Sequence, residues 1–286
     1  MAQNEIYTKI VQDIIDGLKQ GVVAWQMPYK LSVPVNCEGK AYRGGNRAVL
    51  QFKTTLKGYT SNQWATFNQI RKVGGCVKKG EKGTAIAFYK IFKKTDEATG
   101  LERDAFMIRY YTVFNYNQTN IEIKAVDSET EQTFKDADKL EVEYTKTEGI
   151  KIVHDAKTTP SYSPIDDDIR MPSRSGFSSE AEYHTTFFHE MVHSTGHKDR
   201  LSRTGITDLK RMGDNNYSKE ELIAEIGANF LNAECGVESE AIKKNSQSYI
   251  DHWIKALKTT PQILLQAGKK AEESVTYILD KAGKKA

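Results

Sequence analysis

The sequence has few of the features that mark secreted or membrane proteins. It contains three cysteines in 286 residues, Cys37, Cys76 and Cys235. An odd number of widely spaced cysteines forms neither a disulfide framework nor a CxxC metal site, which is typical of a reducing cytoplasm. No run approaches the ~20 apolar residues that cross a bilayer, and the start lacks the basic and apolar regions of a secretory signal. We therefore expect a cytoplasmic protein with no membrane partner.

The chain also has little net charge, with a formal value of only +3. Its distribution is uneven. Residues 1–124 hold 19 Lys and Arg against 10 Asp and Glu, a balance of +9, whereas residues 125–286 hold 22 against 28, a balance of −6. The basic front half indicates a polyanionic partner for that half. The alternative is a solvated lysine-rich surface, which charge alone favours.

Hydrophobic periodicity predicts an α+β protein. In the front half, the predicted elements are an amphipathic helix over residues 4–20, strands over residues 22–29, 84–92 and 106–116, and a short helix near residues 61–73. In the back half, we predict short strands in the segments KIVHD and DDDIRMP, and helices over residues 179–195, 219–235 and a C-terminal stretch interrupted at Pro261.

A polar, acidic stretch separates the two groups of elements. We therefore predict two domains, an N-terminal α+β domain over residues 1–125 and a mainly helical C-terminal domain over residues 148–286, joined by a polar linker over residues 126–147.

The strongest motif is HExxH, formed by His189, Glu190 and His193. On a helix, positions i and i+4 project from one face, so the two imidazoles can bind one Zn²⁺. Glu190 is placed to take a proton from a zinc-bound water as general base. A capping box, Ser179-x-x-Glu182, begins the predicted helix. The motif therefore predicts a catalytic zinc site of the zincin type, although other divalent transition metals would also fit.

A catalytic zinc needs a third protein ligand, and the sequence offers several. We favour Glu221, on a predicted apolar helix, over Glu225 one turn later. Ser218-x-x-Glu221 is itself a capping box, which could use the Glu221 carboxylate instead. Asp199, in HExxHxxGxxD, and His197 are the further alternatives.

The front half mixes cations, aromatics and glycines in the way that single-stranded nucleic acid is bound: cations follow phosphates and rings stack on unpaired bases. For Trp64, a base platform and a core position are about equally expected. The candidate DNA-binding residues are Tyr42, Arg43, Asn46, Arg47, Trp64, Arg71, Lys72, Lys78, Lys79 and Lys82.

These motifs together resemble the ArdC-type antirestriction proteins of conjugative elements. In the front half the similarity lies in GVVAWQMPY, AYRGGN, the Trp64-Ala-Thr-Phe segment and GGCVKKGEKGT, and in the back half in YSPIDDDIRMP, the Tyr183–Leu201 stretch, YSKEELIAEIGANFL and YIDHWIKAL. The resemblance implies a single-stranded-DNA-binding front domain and a zincin-like metallopeptidase back domain. The family's metal histidines and general base fall on His189, His193 and Glu190, and its acidic helix motif on Glu220, Glu221 and Glu225.

Three functions are consistent with these features. The leading interpretation is an antirestriction protein that binds single-stranded DNA, hydrolyses peptide bonds in an unidentified protein near that DNA, and protects incoming DNA from host restriction. The second is a DNA-coating protein whose metal site is structural or vestigial. The third is a protease that acts on DNA-bound proteins.

Overall fold

A computed structural model describes residues 11–12, 14–20, 33–95, 102–123, 134–155, 159–208, 215–237, 254–260 and 263–284. The predicted strand over residues 22–29 and the interruption at Pro261 lie outside this part of the chain. Of the predicted N-terminal helix, residues 14–19 are helical, and Ile14 and Leu18 are fully buried as their spacing predicts.

The front half is built on a four-stranded sheet whose strand order is β1-β2-β4-β3. The strands are β1 (Val35–Asn36), β2 (Gln63–Thr66), β3 (Thr84–Thr95) and β4 (Glu102–Asn115). β3 pairs antiparallel with β4 along its whole length, from Thr84 opposite Val113 to Thr95 opposite Glu102. Both strands were predicted from their aromatic and β-branched residues, over residues 84–92 and 106–116, and both are longer in the structure, with β3 extending to Thr95 and β4 beginning at Glu102.

Two helices accompany this sheet, α1 (Gly44–Lys57) and α2 (Phe67–Lys72). α2 begins at a capping box in which the Thr66 hydroxyl accepts from the backbone N–H of Gln69. The short helix predicted near residues 61–73 is therefore right only in its second part. Trp64 lies in β2. Its ring packs against the sheet and α1 as part of a small apolar cluster.

The back half combines a small sheet with helices. The strands are β5 (Lys151–His154), β6 (Ser161–Ser163) and β7 (Asp168–Met171), in the order β5-β7-β6. The helices are α3 (Lys135–Glu148), α4 (Glu180–Ser194), α5 (Thr204–Thr207), α6 (Asn215–Cys235) and α7 (Ile263–Lys281). The α+β prediction is confirmed. None of the described helices is long and apolar enough to span a membrane.

The predicted polar linker is corrected by α3. Residues 135–147 are helical, and Leu140 and Tyr144 are fully buried in the main core. The Tyr144 hydroxyl lies 2.9 Å from the hydroxyl of Ser194 at the end of α4. The sequence of α3 is mostly polar because the face opposite the buried residues is charged and exposed. The narrow apolar stripe was therefore not recognised from the sequence.

The two halves share one hydrophobic core. Phe52 of α1 belongs to the same buried cluster as Phe230 of α6 and Leu264 of α7. Close packing of α1 on α7 depends on two glycines: a Cβ at Gly268 would lie 2.9 Å from the Gly45 Cα, and a Cβ at Gly45 would meet Leu265 at 2.6 Å. Gly45 of the segment AYRGGN therefore allows a close helix crossing.

Arg47 stabilises this helix crossing, and its buried position corrects the DNA-binding role that was predicted for it. Its side chain is 3% exposed, and its Nη1 lies 3.0 Å from Glu234 and 3.7 Å from Glu272. Its Nη2 donates to the Phe230 carbonyl at 3.1 Å, and its guanidinium stacks 4.1 Å from the Phe230 ring. Because every one of these partners belongs to the back half, Arg47 is a structural residue.

We predict that Arg47→Ala lowers the free energy of unfolding by about 2–3 kcal/mol, because it leaves partly buried carboxylates without their cation. Urea unfolding of the purified protein measures the change. Arg43→Ala, which removes the neighbouring exposed arginine, is the control and should change stability by less than about 0.5 kcal/mol. An Arg47→Ala variant with normal stability and weakened DNA binding would restore the original interpretation.

Candidate metal centre

The two motif histidines lie side by side on α4. Their Nε2 atoms are 2.9 Å apart and their ring centroids 4.6 Å apart. α4 begins at the Ser179 cap as predicted, with the Ser179 hydroxyl accepting from the backbone N–H of Glu182 at 3.1 Å. The predicted capping box is incomplete, because the Glu182 carboxylate accepts from the backbone N–H of Ser178. His189 and His193 therefore present adjacent nitrogen donors at one point on the helix surface.

The Glu221 carboxylate of α6 faces both histidines. Its Oε2 lies 3.6 Å from His189 Nε2, and its Oε1 lies 3.4 Å from His193 Nε2. Ligand atoms about 2.0–2.2 Å from a tetrahedral metal are separated by about 3.3 Å, so these spacings fit one ion. His189, His193 and Glu221 form one of the two groups of potential ligands in the described residues.

This geometry depends on how closely α6 approaches α4. Gly227 of α6 packs against Val192 of α4, and a Cβ at Gly227 would lie 2.7 Å from a Val192 methyl carbon. Any larger residue would push the helices apart. Since Glu221 lies less than two turns before Gly227, the same close approach brings its carboxylate to the histidines.

A buried ion pair supports His193 from behind. Glu220 Oε1 lies 3.4 Å from His193 Nδ1, and the Arg203 guanidinium donates to both Glu220 oxygens, at 2.6 Å and 2.9 Å. Arg203 also donates to the Val192 carbonyl at 2.7 Å and to the Ser274 hydroxyl at 2.9 Å. Glu220 therefore fixes the ring orientation, with Nδ1 toward the carboxylate and Nε2 toward Glu221.

The carboxylates determine the electrostatics of the centre. Burial disfavours protonation of His193, but its hydrogen bonds with Glu220 and Glu221 outweigh burial and raise its pKa well above the usual value. Burial by itself would raise the pKa of Glu221, yet the two histidines lower it below its ordinary value. Glu221 is therefore ionised at neutral pH, as a ligand for a cation must be.

The other candidate third ligands lie elsewhere or act differently. Asp199 has a side chain that is 75% exposed and lies beside His197, with 3.6 Å between its Oδ2 and the His197 Nδ1. Glu225 contributes negative charge near His189 but is not part of the ligand group. Ser218 does not cap α6, because the helix already begins at Asn215. The competing role for Glu221 is thereby removed.

The second group of potential ligands contains Asp138, Glu141 and His184. There, however, Arg174 pairs with Asp138 and lies 3.3 Å from Glu180 and 3.8 Å from Glu141. A guanidinium already neutralises these carboxylates, so this group is an ion network that is only partly buried.

The structure separates the predicted DNA-binding residues into two sets. Trp64 is 0% exposed and packs in the core, so its predicted role as a base platform is corrected. The Asn46 amide bonds the backbone of Ala87 through both its nitrogen and its oxygen, and Tyr42 is half-buried. The exposed residues are Arg43, Arg71, Lys72, Lys78, Lys79 and Lys82.

Arg203 is the main residue of the centre that sequence reasoning missed. A buried arginine needs carboxylate partners, and nothing in the local sequence shows that Arg203 is buried. The role of Glu220 was also hidden, because helical spacing predicts that adjacent glutamates point in different directions without revealing which neighbour each one meets.

Comparison with known protein families assigns a class to each half. Residues 139–270 match the family model described as zincin-like metallopeptidase, and residues 4–114 match the model for the N-terminal domain of anti-restriction factor ArdC. The protein thus has two domains, with a zincin-like domain behind an ArdC-type N-terminal domain.

Two crystal structures of the antirestriction protein ArdC from plasmid R388 match almost the whole chain. The metal-free structure is 32% identical, with a TM-score of 0.75 and 97% coverage of both chains. The Mn(II)-bound structure is 31% identical, with a TM-score of 0.72 and coverage of 96% of this chain and 97% of that one. The chain belongs to the ArdC family of antirestriction proteins.

Curated relatives extend the similarity to longer proteins. Two DNA primases TraC of Escherichia coli are each 31% identical over 94% and 96% of this chain, which spans only 19% and 27% of their lengths. The uncharacterized protein y4eC of Sinorhizobium fredii is 28% identical over 96% of this chain and 91% of its own.

We predict that Glu220→Gln lowers the stability of the metal-free protein by roughly 3 kcal/mol at pH 7. Burial opposes ionisation, but hydrogen bonds from Arg203 and His193 lower the pKa of Glu220 to about 2 from 4.5. A depressed folded-state pKa contributes stability above pH ~4.5 and loses it as pH falls toward 2. Wild type should therefore converge on the variant in acid, as urea unfolding at several pH values would measure. A difference independent of pH would contradict this account of the ion pair.

Proposed function

We propose that this protein is a zinc metallopeptidase that binds single-stranded DNA and protects incoming DNA of a conjugative element from host restriction, in the cytoplasm of the recipient cell. The observation that carries the proposal is the convergence of His189, His193 and Glu221 between α4 and α6. Membership of the ArdC family supports the antirestriction role.

The donor set supports zinc as the metal. Two imidazoles and one carboxylate are a ligand set that catalytic zinc uses, with a further position for water or substrate. The Mn(II)-bound relative makes manganese the second candidate. When bound, such an ion would act as a Lewis acid toward water and a peptide carbonyl. His189 is partly exposed, so the centre is open to solvent on one side.

Glu190 is proposed as the general base. Its side chain is buried on α4, one residue after His189 and three residues before His193, which supports this role. A carboxylate there can accept a proton from an attacking water and return it to the departing amine nitrogen. Glu220 and Arg203 hold His193 in place while this occurs.

DNA binding is proposed for the exposed cations of the front half. The segment Lys78–Gly83 is held in place by Gln118, whose carbonyl accepts from the Lys78 backbone N–H and whose amide donates to the Lys82 carbonyl. Lys82 also lines a groove of about 260 Å³ together with Lys53, Lys57 and Asp16. Three lysines against one carboxylate make this groove suitable for a phosphodiester backbone.

Joining the two activities in one chain has a kinetic consequence. A peptidase that is held on single-stranded DNA meets proteins bound to the same strand at a high effective concentration. Two alternatives remain. A DNA-coating protein would need only the cations, with the metal centre structural or vestigial, and a protease directed at DNA-bound proteins would need DNA to stimulate cleavage.

We predict that Glu190→Gln lowers peptide hydrolysis at least about 100-fold, because it removes the proton acceptor, while affinity for single-stranded DNA stays unchanged. Cleavage of casein by the Zn²⁺-loaded protein and binding of a dT20 oligonucleotide measure the two activities. Glu180→Gln, an exposed position on the same helix, is the matched control.

The biological role of hydrolysis is tested with the same variants in a plasmid-transfer assay into a restricting host. Loss of protection with Glu190→Gln but not with Glu180→Gln is the expected result. If Glu190→Gln protects the plasmid fully, the DNA-coating function is correct and peptidase action is irrelevant to it.

We further predict that replacing Lys78, Lys79 and Lys82 together by alanine weakens dT20 binding. The slope of log affinity against log salt should fall by about 2, since each phosphate contact on a single strand contributes about 0.7. Unfolding free energy should change little, because exposed lysines support little structure. The control replaces the exposed back-half lysines Lys139, Lys146 and Lys151 by alanine. An equal loss of dT20 affinity in that control would show that the front half is not the DNA-binding half.

A further inference from the structure

Two aromatic rings are exposed side by side on the β3–β4 hairpin. Phe88 is 55% exposed and Tyr111 is 41% exposed, and their ring centroids lie 6.4 Å apart at an interplanar angle of 82°. The register pairs Phe88 with Arg109 and Ile86 with Tyr111, so Phe88 and Tyr111 are diagonal neighbours on one face. Arg109 is exposed beside them.

This face continues outward from the buried core. Ile86 and Val113, diagonal neighbours on the same face, are covered by Leu50 and Trp64. Beyond them the cover ends and the two rings meet solvent. Scattered single apolar residues on a surface are ordinary, but two contacting rings next to an arginine form a patch that needs an explanation.

Charge identifies what covers the patch. The described side chains of this face, Thr84, Ile86 and Phe88 of β3 and Arg109, Tyr111, Val113 and Asn115 of β4, include no acidic residue. The remaining strand positions of the same parity, 90, 92 and 94 of β3 and 103, 105 and 107 of β4, also hold no acidic residue, whereas Glu102 and Asp104 occupy positions of the opposite parity. A second copy of the chain would bring the same positive charge against this surface, whereas a polyanion with flat rings complements both its charge and its aromatic groups.

We propose that Phe88 and Tyr111 form the base-stacking platform for single-stranded DNA, with Arg109 at the adjacent phosphate. This rests on the proposed DNA-binding function and names the residues that give it selectivity for single strands. Lysines alone attract duplex and single strand alike, since both carry phosphates. Bases stacked inside a duplex cannot reach the rings, so the platform discriminates between the two forms.

The test compares wild type with the double variant Phe88→Ala/Tyr111→Ala in binding to dT20, to an abasic 20-mer and to a 20-base-pair duplex. Affinity for dT20 should fall by about 5-fold to 100-fold, the range of a lost base stack. Binding to the abasic strand and to the duplex should be unchanged, and so should the salt slope for dT20. Ile165→Ala, which removes the 78% exposed Ile165 from the back half, is the control.

Two further variants separate stacking from charge and from misfolding. Arg109→Ala should lower the affinity for all three ligands, and it should lower the slope of log affinity against log salt for dT20 by about 0.7. Phe88→Trp keeps a flat ring, so it should retain dT20 affinity, and its added fluorescence should be quenched on binding. Sedimentation of wild type and the double variant detects any self-association through the patch.

The outcomes are distinct. If wild type prefers dT20 to duplex and the double variant binds dT20 equally well, the platform is overturned while the DNA-binding function stands. Conversion of a dimer to a monomer with unchanged dT20 affinity overturns it as well, and identifies the patch as a self-interface. If wild type does not bind dT20 at all, the proposed DNA-binding function itself has failed.

Discussion

The candidate centre depends on the close crossing of α4 and α6. The two histidines are fixed by helical spacing alone, but a third donor must come from another helix, and its distance is set by the packing of Gly227 on Val192. That contact brings Glu221 within 3.6 Å of His189. Arg203 then locks the arrangement through Glu220, because a buried guanidinium must keep its carboxylate partner. The donor geometry is therefore a consequence of core packing.

Close helix packing at glycines, held by a buried arginine, also joins the two domains of this ArdC-family chain. α1 belongs to the front half by sequence, yet it packs on α7 through Gly45 and Gly268 and is held by Arg47. Residues that looked like DNA ligands are part of this junction. Lys78, Lys79 and Lys82 and the Phe88 ring lie outside it, on β3 and the loop that precedes β3. The proposed DNA contacts of this loop and strand are therefore separate from the residues that hold the two halves together.

Sequence patterns predicted the helices, strands and helix caps that local geometry determines. The α4 helix, its Ser179 cap and the placement of both histidines follow from a period of 3.6 residues, and the β3–β4 hairpin follows from alternation. Glu221 was favoured by chemistry but could not be separated from Glu225, because both lie on one helix and only tertiary packing decides which one meets the histidines. The burial of Trp64 was undecided for the same reason: an aromatic flanked by cations occurs both in cores and on binding surfaces.

Crystals of the protein soaked with Zn²⁺, with anomalous diffraction recorded at the zinc edge, test the central claim most directly. The account predicts one strong peak per chain, about 2.0–2.2 Å from His189 Nε2, His193 Nε2 and a Glu221 oxygen. A peak at Asp199 or among Asp138 and His184, or full zinc exclusion from the histidine pair, would contradict it.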